Sequence, residues 1–271
     1  MTETILEIQN LSCGYGEKTI IRDISLNVIT GEILSIIGPN GSGKTTLLKS
    51  VTHIIQPKKG TIRFQGKEIQ SIPRNEFARK VAVVGQAVEP ARMTVKEYVL
   101  LGRLPYFRRY QFMETGNDRR LAQHYMELTH TDSLQNQLMT EISGGERQLA
   151  SIARALVQEP TLLLLDEPTS HLDITHQAQI LRLIHRLNQD LRLTVLMVVH
   201  DLNLASEYSD RLILLNKQNG RIYRTGTPEE VLTEPVIREI YNIPVLIEKN
   251  PLSGKPCIFL SPENCHKREL I

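Results

Sequence analysis

The most constraining feature of this 271-residue chain is the octapeptide Gly38-Pro39-Asn40-Gly41-Ser42-Gly43-Lys44-Thr45. It satisfies G-x-x-x-x-G-K-[S/T] at every defined position. Glycines let the backbone curl so that successive N–H groups point inward at phosphate oxygens. An apolar stretch from Glu32 to Ile37 leads in and reads as a strand. Helical spacing from Lys44 to about His53 leads out, so a helix N-terminus adds its partial positive charge. Lys44 supplies a mobile charge for β- and γ-phosphates, and the Thr45 hydroxyl suits Mg²⁺.

Strand-like runs flank this unit. Ile5 to Ile8 and Ile24 to Val28 alternate partly at period two, with Gly14, Gly16 and Gly31 as punctuation. Thr61 to Phe64 followed by Gln65-Gly66-Lys67 reads as a hairpin, and Lys80 to Val84 as a further strand. From about Ala87 to Val157 the spacing becomes helical. Thr94-Val95-Lys96-Glu97 is a capping box, so a helix is expected to begin near Val95. A second helix is expected over Arg119 to Thr129, with Leu121, Tyr125 and Leu128 on one face, and a third opens at Ser143. After Pro160, strands at Leu162–Leu165, Thr194–Val199 and Arg211–Leu215 alternate with helices at about Ile174–Gln189 and Asp201–Tyr208. That order implies a mainly parallel, helix-covered sheet interrupted by a helical insertion.

Two further stretches carry chemistry. Leu162 to Leu165 is a buried-strand run that ends in Asp166 and Glu167. Asp166 fits a Walker B carboxylate holding Mg²⁺. Strand alternation aims Glu167 elsewhere, where it is placed to polarise an attacking water. A strand that simply exits into a charged turn would look the same without the phosphate loop. Ser143-Gly144-Gly145-Glu146 is a second capping box whose two glycines leave backbone N–H groups bare, which reads as an anion site, although a well-capped helix with no ligand carries the same pattern. One nucleotide needs one such cradle, yet the chain has two.

Ile142-Ser143-Gly144-Gly145-Glu146-Arg147-Gln148 resembles the signature sequence of ATP-binding cassette (ABC) ATPases, with Ser143 lying 23 residues before Asp166, where that family places it. The other motifs agree in order over roughly residues 3 to 245. Tyr15 matches the aromatic that stacks on adenine, Gln86 the Q-loop glutamine, Ser170-His171-Leu172-Asp173 the D-loop and His200 the switch histidine. The signature departs from the commonest form at Ile142 and Glu146, and the D-loop at His171. The resemblance implies a P-loop α/β core of mainly parallel sheet with an antiparallel β-subdomain and an inserted α-helical subdomain. It implies an ABC domain over 1–245, the helical subdomain at about 87–157 and a tail at 246–271. It implies ATP and Mg²⁺ as ligands, with Thr45, Gln86 and Asp166 near the metal and Gly38 to Thr46 on the phosphates. It also implies a head-to-tail homodimer in which Ser143, Gly144 and Gly145 act on the γ-phosphate held by the partner's Lys44. Glu167 would orient water, His200 contact the γ-phosphate and Asp173 couple the two sites. Taken alone, Tyr15 is also readable as a strand-end tyrosine and His200 as a surface histidine.

Leu101-Gly102-Arg103-Leu104-Pro105-Tyr106 resembles the segment after the Q-loop in importers of ferric siderophores, haem and cobalamin. Thr169 to Gln177 resembles the same group, as does Gly226 to Thr233 followed by Ile240 to Val245. The expected role is therefore the ATP-hydrolysing subunit of a metal-chelate importer. Its partners would be integral membrane permeases and, indirectly, a substrate-binding protein, with the chain peripheral on the cytoplasmic face of the membrane. A soluble cassette serving iron–sulfur assembly or ribosome-associated work is the alternative. No apolar run reaches the ~18–20 residues of a membrane span, and no signal peptide is read at Met1-Thr2-Glu3-Thr4. A net charge of +2 gives no general reason to expect nucleic acid. Arg103, Arg108 and Arg109 interleave with Tyr106, Phe107 and Tyr110, which suggests a solvated or docking surface more than an RNA site. His171 and His176 read as ordinary surface residues. Cys13, Cys257 and Cys265 lack zinc-type spacing, and Cys265-His266 lies in what reads as a mobile tail.

Overall fold

In a computed structural model of the chain, residues 3–86 and 89–260 are described. The expectation for Cys265-His266 lies outside them. In chain order the elements are β1 (Thr4–Tyr15), β2 (Lys18–Ile29), β3 (Ile33–Ile37), α1 (Lys44–Val51), β4 (Lys59–Phe64), β5 (Lys67–Glu68), α2 (Arg74–Lys80), β6 (Val81–Val84) and α3 (Val95–Leu100). Then come α4 (Gly116–Leu128), α5 (Gly144–Leu156), β7 (Leu162–Asp166), α6 (Ile174–Leu191), β8 (Thr194–Val198), α7 (Leu202–Tyr208) and β9 (Arg211–Leu215). The last are β10 (Ile222–Gly226), α8 (Pro228–Val231), α9 (Glu234–Tyr241), β11 (Val245–Lys249) and β12 (Pro256–Leu260). Contacts divide the chain into two compact units. Among the described residues, the first takes residues 3–7, Asn27–Glu32 and Ile62–Met197, and the second takes Ile8–Leu26, Ile33–Thr61 and residues 198–260.

In the second unit β9 lies between β3 and β10. It runs parallel to β3, pairing Leu34 with Arg211 and Ile37 with Leu214, and antiparallel to β10. Every residue of β3 is buried, including Ser35, whose hydroxyl is satisfied by the Ser209 hydroxyl at 2.6 Å. Residues 246–260, read as the start of a tail, instead form the β11–β12 hairpin, with Ile247 opposite Ile258. It is pinned to α7: the Ile258 N–H donates to Asn203 Oδ1 at 2.7 Å and the Ser206 hydroxyl to the Pro256 carbonyl at 2.7 Å. Those side-chain partners leave no trace in residues 246–260 themselves.

In the first unit β7 pairs in parallel with β6, Val81 opposite Leu162 and Val84 opposite Leu165, and lies beside β8. All five residues of β7 are buried, as the unbroken leucine run requires of a strand covered on both faces. The same unit holds the helical segment. Both halves of the α3 capping box are made, with the Thr94 hydroxyl accepting from the Glu97 N–H at 3.2 Å and Glu97 Oε2 from the Thr94 N–H at 2.8 Å. α4 begins three residues earlier than the sequence suggests, because Thr115 and Asp118 form a further capping box.

The buried stripe of α4 is Asp118, Ala122 and Met126 rather than the Leu121–Tyr125–Leu128 face, whose Leu121 and Tyr125 pack at its margin. The reason is an ion pair. Arg103 is 5% exposed, not part of a solvated patch, and its Nε donates to Asp118 Oδ1 at 2.8 Å. Its Nη1 donates to the Val157 carbonyl at 2.8 Å, and its guanidinium stacks 3.8 Å from the Tyr106 ring centre. Arg108 and Arg109 remain exposed. Burial works against the Asp118 carboxylate, but the Thr115 hydroxyl and amide and Arg103 outweigh it, so its pKa lies below the usual value. Arg103→Met, which strands a buried carboxylate, is expected to cost about 3–5 kcal/mol in urea unfolding. A depressed carboxylate stabilises above its unfolded pKa and loses that contribution as pH falls through the folded one. The stability gap between wild type and Asp118→Asn should therefore close as pH drops below about 3.9.

Candidate active site

The second unit carries the phosphate loop. β3 delivers the chain to Gly38, where φ is 147° and a Cβ would lie 2.7 Å from the Leu215 carbonyl. Gly43, the N-cap of α1, has φ 98°, and a Cβ there would lie 2.4 Å from Ile21 Cγ2. These two positions accept only glycine. The Leu47 N–H donates to the carbonyl of the Gly43 cap at 2.9 Å, so Lys44, Thr45 and Thr46 form the first turn of α1, at the positive end of its dipole. Pro39 is half-buried, while Asn40 and Gly41 are exposed on the loop's outer side. Lys44 is buried and its Nζ donates to the Gly38 carbonyl at 2.8 Å and the Pro39 carbonyl at 3.3 Å. The Ser42 hydroxyl is buried with no hydrogen-bond partner. An orphaned Ser42 hydroxyl, a buried ammonium and a helix N-terminus around a backbone that excludes Cβ atoms suit a polyphosphate.

The same unit holds Tyr15 at the end of β1, 52% exposed. His200 follows β8 and is exposed, just before the Asp201 cap of α7. Tyr241 is the last residue of α9, and the sequence patterns give it no role at the site. Its phenol hydrogen-bonds to the main chain of Gly38, and burial pushes its pKa well above the ordinary tyrosine value. No local pattern announces a contact that spans two hundred residues.

The first unit carries the carboxylates. Asp166 ends β7 and Glu167 follows it, each 8% exposed. The two side chains diverge because Glu167 turns to φ 52°, in the left-handed region, and not because of strand alternation. That backbone costs a non-glycine residue on the order of 1–2 kcal/mol. Gln86 Nε2 donates to Glu167 Oε2 at 2.7 Å. At the start of α5 the Ser143 hydroxyl accepts from the Glu146 N–H at 3.2 Å and Glu146 Oε2 from the Ser143 N–H at 2.7 Å. The Ser143 main chain and hydroxyl hold the Glu146 carboxyl below its usual range. Gly144 is exposed and Gly145 buried. Asp173 caps α6, accepting from the His176 N–H at 2.9 Å. His176 is not an ordinary surface residue, because its ring lies directly against Gly145. Gln177 Nε2 donates to the Leu172 carbonyl at 3.0 Å and steadies the loop before α6.

Residues 21–170 match the family model described as ABC transporter. The chain belongs to the ABC transporter family. The cassette is an ATP-binding domain of that family, an ATPase with the mixed α/β fold its motifs imply. It is 36% identical over 260 residues to the probable siderophore transport system ATP-binding protein YusV of Bacillus subtilis, covering 95% of this chain and 94% of that protein. It is 36% identical over 267 residues to the iron(3+)-hydroxamate import ATP-binding protein FhuC of the same organism, covering 98% of both. Among solved structures, an inward-facing metal-chelate type ABC transporter superimposes with a TM-score of 0.83 at 27% identity, covering 96% of the cassette and 99% of that chain.

Proposed function

We propose that this cassette is the motor of an importer for a ferric siderophore or similar metal chelate. It would sit peripherally on the cytoplasmic face of the membrane against separate permease chains. The relatives named for siderophore and hydroxamate uptake support this reading, as does the metal-chelate transporter neighbour. Among the described residues no helix is long and apolar enough to cross a membrane.

The carrying observation is the pairing of Glu167 with Gln86 in one unit that also bares the Ser143 helix start. In this reading the adenine stacks on Tyr15. The amides from Gly38 to Thr46 and the Lys44 ammonium hold the phosphates. The Thr45 hydroxyl and the Asp166 carboxylate would each serve as an oxygen donor to Mg²⁺, which would supply charge to offset that on the phosphoryl oxygens. Glu167 accepts a proton from the attacking water, and Gln86 holds the Glu167 carboxylate in place from the start of the helical segment. His200 donates to the γ-phosphate. The second cradle is explained by a head-to-tail homodimer: Ser143, Gly144 and Gly145 close on the triphosphate held by the partner copy, and Asp173 links the two sites.

Ser143→Arg tests the shared site. ATP binding to the isolated chain should stay within about twofold, while dimer-dependent hydrolysis falls at least tenfold, the scale of a displaced positioning group. A fully active variant would remove the shared-site reading. The transport role is tested by co-purification with a membrane permease and by ATPase stimulation with a chelate-loaded binding protein.

A further inference from the structure

His176 occupies the third position of α6, where a capping box would carry Glu or Gln. Its side chain turns instead to the capping residue. Nδ1 lies 2.9 Å from Asp173 Oδ2 and 3.0 Å from Oδ1. A carboxylate only accepts, so Nδ1 carries the proton in this contact. The His176 amide and ring together hold the Asp173 carboxyl below its usual range. The ring is thereby fixed, and its other side fills the space beside Gly145. A Cβ built on Gly145 would lie 2.2 Å from His176 Cδ2, 2.6 Å from Cγ and 2.8 Å from Nε2. Real Cβ atoms do not approach so closely, so the ring occupies the place of the missing side chain. Gly145 has no positive φ, so conformational freedom does not explain the glycine there. The imidazole seated on it does.

We propose that His176 is a positioning residue that locks the Ser143–Gly145 cradle and the Asp173 loop into one rigid piece. The inference rests on the shared-site reading above, because both loops are taken to act on the nucleotide held by a second copy. One side chain then sets the register between two loops that must arrive together.

The test uses steady-state ATPase assays on the full chain together with ATP binding to the isolated chain. His176→Ala should lower kcat about tenfold, in line with a positioning loss of the order of an ångström, with monomer ATP affinity unchanged within twofold. His176→Asn, whose Nδ2 reaches Asp173 as Nδ1 does, should recover at least half of the lost turnover. Gly145→Ala should cost about tenfold in wild type and much less in the His176→Ala background, where the ring is gone. Wild-type turnover in His176→Ala, no recovery in His176→Asn, or an equal Gly145→Ala penalty in both backgrounds would each overturn the proposal. If Ser143→Arg is inactive while His176→Ala is fully active, the positioning role fails and the shared site stands. If Ser143→Arg is itself fully active, the shared site fails and takes this inference with it.

Discussion

Glu167→Gln should bind ATP as tightly as wild type and turn it over at least 10²–10³-fold more slowly, the scale of a lost general base. Gln is nearly isosteric, so the left-handed turn at φ 52° and the buried setting are kept. What disappears is the capacity to accept a proton. The amide at this position can still face Gln86, which now sits 2.7 Å from Glu167 Oε2. With hydrolysis blocked, the ATP-bound dimer should accumulate and appear as a larger species in gel filtration with ATP. Phosphate release within threefold of wild type would exclude Glu167 as the base.

Lys44→Ala should cut ATP affinity roughly 100-fold or more in titration calorimetry. The ammonium is buried, and charge-assisted hydrogen bonds are each worth about 1.5–3 kcal/mol. Its loss also strands the Gly38 carbonyl, which takes its hydrogen bond at 2.8 Å. Lys44→Arg should not rescue binding, because the forked guanidinium does not fit a space shaped around one ammonium. An affinity within twofold of wild type in Lys44→Ala would remove the lysine from the phosphate site.

Much of the site was legible because its chemistry depends on short, contiguous patterns. A loop that must present amides to phosphate needs glycines at set spacings, and a strand covered on both faces must be apolar throughout. The octapeptide, the Leu162–Asp166 strand and the Ser143 and Thr94 capping boxes all stand in the structure where local rules put them. Helix and strand ends were less legible: β1 and β2 are each twelve residues long, and α2 went unseen. Pairing with a neighbouring strand extends a strand beyond its own alternation.

The sequence by itself determined the family, the nucleotide and the order of the motifs, because each rests on residues adjacent in the chain. Only the tertiary structure decided which distant groups meet. Arg103 reads as a surface cation until Asp118 arrives from another helix to neutralise it in the core. Nothing beside Tyr241 in the chain announces that its phenol reaches Gly38. His176 reads as a surface histidine until α5 brings Gly145 beneath its ring. In each case the partner lies far along the chain, and a side chain's role follows from the partner and not from its neighbours in sequence.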